Sequence, residues 1–183
     1  MTLRLLLHAG IVFGALVSVA IRPSEAADQP QHLVATGERA DTGWIDMSDT
    51  NAFIGLEPCG LWKHFEAIAK IPRPSGQEGP MADYIRSWAS ARGYHVNVDR
   101  VGNVCVQVPG RGPFENAPPI VLQSHLDMVC ERNSGCPYDT AKGIMHVVRD
   151  GDWLCAEGTT LGADNGIGCS AMLHVAELDN VAH

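Results

Sequence analysis

Residues 119–130 read PIVLQSHLDMVC, and this stretch decides the fold class. An apolar run of this length is what a strand inside an α/β sheet looks like when both of its faces are covered. The run stops abruptly at His125 and Asp127, with Leu126 between them. Residues two apart in an extended segment project to the same side, so both polar side chains can face one crevice while Leu126 turns back to the core. In α/β sheets that crevice lies outside the carboxyl ends of the strands. A His with a carboxylate at this spacing suits a metal ligand and the group that orients it. Taken alone, such a pair at a strand end is more often a hydrogen-bonded loop pair.

A second stretch bears on the choice. Residues 158–168 read GTTLGADNGIG, with glycines at 158, 162, 166 and 168 around a single carboxylate, Asp164. Such a backbone can turn tightly and approach a site closely. Asp164 stands just ahead of a helical pattern, where it could serve with Asn165 as an N-cap. A phosphate cradle is the other alternative, but the stretch lacks the lysine of a P-loop and puts a negative charge where the phosphate would sit. An acidic, glycine-rich elbow favours a cation.

Working outward, LEPCGLWKHFEAIAKIPRPSG places Leu61, Phe65 and Ile68 at helical spacing beside Trp62 and Ala69, and Pro72 and Pro74 end the run. The next segment repeats the pattern with Met81, Ile85, Trp88 and Ala89 on one face and Gly93 at the C-terminal cap. YHVNVD and NVCVQVP alternate and read as a β-hairpin, and IMHVVRDGDWLCAEG reads as a second one turning at Asp150 and Gly151. Between them, GRGPFENAPP is a loop. Ile167, Ala171, Val175 and Leu178 form a stripe along a last helix. Helices, mixed strands and a closing helix give the α/β class.

The first 27 residues differ in kind: they open with one Arg, Arg4, ahead of an apolar run from Leu5 to Ile21, and carry small residues at Ser24 and Ala26 before Ala27. They read as a cleaved signal peptide, with an uncleaved membrane anchor as the alternative. Export to the periplasm or the medium follows, with no stable membrane span after cleavage. Residues 28–52 are polar and read as a linker, with Trp44 and Ile45 as local anchors. A net charge of −8 without any basic stripe excludes nucleic acid as the partner. The six cysteines, at 59, 105, 130, 136, 155 and 169, contain no CxxC pair. Cys130 and Cys136 could close a small disulfide loop, though single buried thiols are the expected state of most.

VLQSHLDMVCERN and WLCAEGTTLGADNGIG, in this order, resemble the bacterial aminoacyl-histidine dipeptidase family, also called Xaa-His or cytosolic non-specific dipeptidase. The similarity begins near LEPCGLWKHFEAIAKIPRPSG and runs through VGNV. It implies a truncated three-layer αβα zinc-exopeptidase catalytic domain with a mixed central sheet, incomplete, over residues 53–183. It also implies a metal-dependent dipeptidase acting on Xaa-His or broader dipeptides through a metal-activated water. By the same resemblance His125 is a metal ligand, Asp127 the catalytic carboxylate that orients the site, and Asp164 the bridge between two zinc ions; cobalt or manganese suits the same donors. In the family a Glu-Glu pair containing the general base follows the bridging Asp by about 30 residues, and here 19 follow Asp164. The base is therefore expected to be absent from this chain, Glu177 being no substitute, and His174 and His183 are expected to be structural or solvated. The chain alone is expected to be inactive, and a homodimer to need the full-length enzyme. The alternative is a non-catalytic exported remnant with weak metal binding. Members of the family are usually cytoplasmic, which leaves the leader as an addition.

Overall fold

The computed structural model of the chain describes residues 2–8, 50–110 and 118–178. The linker anchors Trp44 and Ile45, the middle of the GRGPFENAPP loop and His183 lie outside them. Strand β1 is Thr2–His8, followed after a 3-10 turn at Thr50–Phe53 by helices α1, Cys59–Ala69, and α2, Gly79–Ser90. The first hairpin is β2, His95–Val98, with β3, Val104–Pro109; β4 is Val121–His125; the second hairpin is β5, Val147–Asp150, with β6, Trp153–Ala156; and α3 is Ala163–Glu177.

The local reading of α2 is confirmed, since Met81, Ile85, Trp88 and Ala89 are its buried residues. Each large apolar side chain among them contributes roughly 1.5–3 kcal/mol on burial. Gly93 ends the helix at a φ of 67°. In α1 the fully buried face is His64, Phe65, Ile68 and Ala69, while Leu61 and Trp62 are half-covered. Both hairpins form, each antiparallel, the first closed by Asp99 accepting from the backbone of Val101 and Asn103.

The main sheet is mixed, in the order β2-β3-β1-β4, with β1 antiparallel to β3 and parallel to β4. Buried side chains of α1, α2 and α3 gather with Val104, Val106 and Val108 of β3 and Leu126 into one core. The described residues thus supply the sheet and the helical layer on one of its faces. This corrects the expectation for β4. The central place belongs to β1, and β4 lies at the edge with Val121 54% exposed, because its apolar run has no layer over its outer face among the described residues. The segment that reads as the start of an export leader completes the sheet with its backbone.

Two further expectations change. Cys130 and Cys136 are both free, as are the other four cysteines, and only Cys169 is buried. On α3 the buried residues are Gly166, Cys169, Ser170, Met172, Leu173 and Ala176, whereas Ile167, Ala171, Val175 and Leu178 are half-covered. Apolar residues surround this helix, so periodicity could not choose its face. Small residues at 166, 169 and 170 let it press against α1 and β4. Among the described residues no helix is long and apolar enough to cross a membrane.

Candidate metal centre

β4 ends on His125, and the chain then turns so that Leu126 is fully buried while His125 and Asp127 face outward together. His125 Nδ1 lies 3.0 Å from Asp127 Oδ1 and 3.1 Å from the Asp127 carbonyl oxygen. On the opposite side of the ring, His125 Nε2 is 3.1 Å from Asp164 Oδ1. Three residues singled out in the sequence, two of them 39 positions apart, therefore meet on one imidazole.

The arrangement assigns the ring its roles. An imidazole flanked at Nδ1 by a carboxylate and a carbonyl donates its proton there, which leaves a lone pair on Nε2. That lone pair faces the carboxylate of Asp164. Two acceptors at this separation need a proton or a cation between them. A His oriented by a carboxylate at one nitrogen, with the other nitrogen toward a second carboxylate, is the pattern of a metal-ligating His and its supporting partner.

The competing reading of Asp164 as an N-cap fails on the same geometry. The backbone N–H of Gly168 donates to Asn165 Oδ1 at 3.1 Å, so Asn165 caps the helix. Asp164 and Asn165 leave helical backbone geometry inside the α3 span, and the Asp164 side chain is 93% exposed, with Oδ1 toward His125 Nε2. Gly162 precedes the helix at a φ of 70°, a left-handed conformation that glycine takes without strain.

Asp127 is held on two sides. Burial pushes its carboxyl up, but the Ser75 hydroxyl and His125 outweigh this and hold it below its usual value. Ser75 Oγ donates to Asp127 Oδ2 at 2.5 Å. Behind the turn, Arg73 Nη1 donates to the carbonyls of Leu126 and Asp127 at 3.1 and 2.9 Å, and Nη2 to the carbonyl of Gly162 at 2.6 Å. The backbone of Arg73 also accepts from Met128 N–H at 2.9 Å. Neither Arg73 nor Ser75 stands out in the sequence, where PRPSG reads only as the stop after a helix. Its two prolines were the available signal, since they enforce an extended segment that can pair beside Met128.

Ser124, just before His125, is buried, and its hydroxyl donates to the carbonyl of Asn165 at 3.3 Å. The Cys169 thiol, pushed up by burial, rests 3.4 Å from the carbonyl of His125. Glu177 lies far from these groups, bound to Trp88 and His64, and His174 sits where α1 crosses α3, against Gly60.

The donors fit a divalent transition ion in kind, imidazole with carboxylate, but not in number. Among the described residues no group of three His, Cys, Asp or Glu could hold a metal. Asp127 is engaged on the far side of the ring, so His125 and Asp164 alone converge on one point.

No family model matches the chain. It is 45% identical over 128 residues to the cytosol non-specific dipeptidase of Escherichia coli (strain K12), an alignment covering 70% of this chain and 26% of that protein. It is 32% identical over 93 residues to a glutamyl aminopeptidase of Lactococcus lactis, covering 51% of this chain and 25% of that one. Among solved structures, the aminoacylhistidine dipeptidase of Vibrio alginolyticus superposes with a TM-score of 0.68 at 40% identity, over 72% of this chain and 27% of the other. The chain spans about a quarter of the length of these relatives. Over the matched residues it is similar to the aminoacyl-histidine dipeptidases that its two motifs resemble.

Proposed function

We propose that this chain carries the amino-terminal part of a metal-dependent dipeptidase, acting on Xaa-His or broader dipeptides in the complete enzyme, and that it binds a divalent ion between His125 and Asp164. The observation that supports this most directly is the imidazole held at Nδ1 by Asp127 with its Nε2 turned to Asp164 at 3.1 Å. A divalent ion bound there supplies Lewis-acid polarisation of a peptide carbonyl and a lowered pKa for water. Asp127 fixes the ring and its tautomer. Ser75 donates to Asp127 and favours its ionised form, the form that accepts from His125 Nδ1–H. Asp164, with its side chain 93% exposed, would be the carboxylate that holds zinc, or cobalt or manganese in its place, together with His125.

Two donors are fewer than the three or four that tight zinc binding requires. The chain alone is therefore inactive on this reading, and general base, remaining ligands and any homodimer contact belong to the complete enzyme. The same donor shortage favours the second reading, a remnant with weak metal affinity. Residues 1–27 act as an export leader in this proposal. Export then withdraws β1 from the sheet, so the four-stranded sheet belongs to the unprocessed chain.

Calorimetric titration of the purified chain with Co2+ or Zn2+ tests the proposal, with dipeptide hydrolysis followed in parallel. Weak, reversible binding that His125→Ala and Asp164→Ala each abolish is expected, with no hydrolysis. Binding indifferent to both substitutions would remove the metal site, and metal-dependent cleavage of an Xaa-His dipeptide would remove the claim of inactivity.

A further inference from the structure

Arg73 is 0% exposed, the largest side chain buried to that degree in the described structure. An ionised group that far from water is costly unless its hydrogen bonds are met. Among the described residues no carboxylate pairs with it; its partners are the carbonyls of Leu126, Asp127 and Gly162, and its Nε has none. Burial accordingly lowers its pKa. A polar group retained at such cost, with a neutral core of α1, α2 and β3 close by, calls for a role that an apolar side chain could not perform.

The geometry names that role. Leu126 and Asp127 belong to the turn that presents His125, and Gly162 belongs to the elbow that presents Asp164. One planar guanidinium holds both, with Nη1 on the turn and Nη2 on the elbow, and its rigidity transmits a fixed spacing between them. The elbow is shaped for that contact. A Cβ at Gly162 would lie 2.7 Å from Arg73 Nη2, and one at Gly166 would lie 2.9 Å from it. Both glycines leave room that the guanidinium fills together with Met128 at Gly162 and Phe65 at Gly166, and the second sits in a helix where glycine is otherwise unfavourable.

We infer that Arg73 is the positioning residue of this centre: it clamps the His125–Asp127 turn to the Gly158–Gly168 elbow at the separation where His125 Nε2 and Asp164 can share one cation. The inference rests on the metal-binding reading of the site. It adds a residue that touches neither the ion nor the substrate and acts through backbone carbonyls alone.

The full chain with Arg73→Lys and Arg73→Met tests it by two measurements. The first is amide hydrogen exchange, read at Met128 and Gly166 for the two clamped segments and at Ile85 and Val106 for the core. The second is Co2+ titration. In both variants exchange at Met128 and Gly166 rises about tenfold while the core amides change less than about twofold. Co2+ affinity falls about 10- to 100-fold, the range for groups that orient metal ligands. Lysine keeps the charge but cannot fork across three carbonyls, so it fails to rescue. Wild-type exchange and affinity in Arg73→Met would overturn the inference, as would full rescue by Arg73→Lys, which would leave only a charge effect. If the wild-type chain binds no cobalt, the metal reading falls, and the exchange measurement alone decides whether the clamp exists. Should Arg73→Met not fold, Arg73→Lys decides by the same two measurements.

Discussion

Glu177 offers the sharpest test of how the helices are joined. Its carboxylate accepts from Trp88 Nε1 at 2.7 Å and from Arg92, and lies 3.1 Å from His64 Nε2, whose other nitrogen is 3.3 Å from the Tyr84 hydroxyl. It thereby ties α3 to α1 and α2 in a cluster where His64 is 8% and Trp88 6% exposed. Glu177→Ala strips the acceptor from two buried groups, each worth about 1–3 kcal/mol when left unpaired. The half-exposed Arg92 adds less than about 1 kcal/mol. A quarter of the Glu177 side chain reaches solvent, 26% by exposure, so water takes over part of the lost bonding. The expected loss is about 2–4 kcal/mol for Glu177→Ala and about 1–2 for Glu177→Gln, which keeps one acceptor. Urea unfolding at pH 7, followed by tryptophan fluorescence, measures it. The pH dependence adds a second reading. Burial raises the Glu177 carboxyl, but the Trp88 indole, His64 and Arg92 together bring it below its ordinary value. A depressed carboxylate stabilises the fold fully above its unfolded pKa of about 4.3 and loses that contribution as pH falls through the lower folded value. Wild type therefore destabilises more steeply than Glu177→Gln as pH falls from the unfolded value to the folded one, and the two run parallel below it. A Glu177→Ala loss under about 0.5 kcal/mol, at the level of an ordinary surface change, would refute the cluster, as would parallel slopes between those two values.

The candidate site, the cysteines and the sheet give three more expectations. Ser75→Ala removes the 2.5 Å bond that helps ionise Asp127, so the Asp127 carboxyl moves up toward its ordinary value; carbon-13 titration of that side chain shows the shift, and no movement would mean that His125 alone holds it down. With six free cysteines, thiol reagents modify exposed Cys59 and Cys155 in the native chain and reach buried Cys169 only on unfolding; mass spectrometry after brief labelling checks the order, and early labelling at Cys169 would contradict the packing of α3 on β4. Deleting residues 1–27 removes β1, which is in register with six residues of β3 and five of β4, so the shortened chain unfolds at lower urea and loses strand signal in circular dichroism; unchanged stability would show that the sheet does not depend on that strand.

Much of the molecule follows from residues close together in the chain. The faces of α2, the two hairpins and the turn at Asp150 and Gly151 depend on periodicity and turn chemistry within about a dozen residues, which a sequence displays directly. The three candidate site residues stand out locally in the sequence, His125 and Asp127 at the end of an apolar run and Asp164 among glycines. Other features rest on partners far away in sequence. Whether Asp164 caps its helix or faces His125 depends on Asn165, whose side chain takes the cap in the folded chain. Arg73 and Ser75 act across 89 and 52 positions, on groups to which nothing in PRPSG points. The place of β1 between β3 and β4, and the edge position of β4, depend on pairings whose energy comes from the assembled sheet. Local chain preference selects the element and the residue type. Burial and hydrogen-bond satisfaction, which exist only once distant segments meet, decide which of those residues form the site and what holds them there.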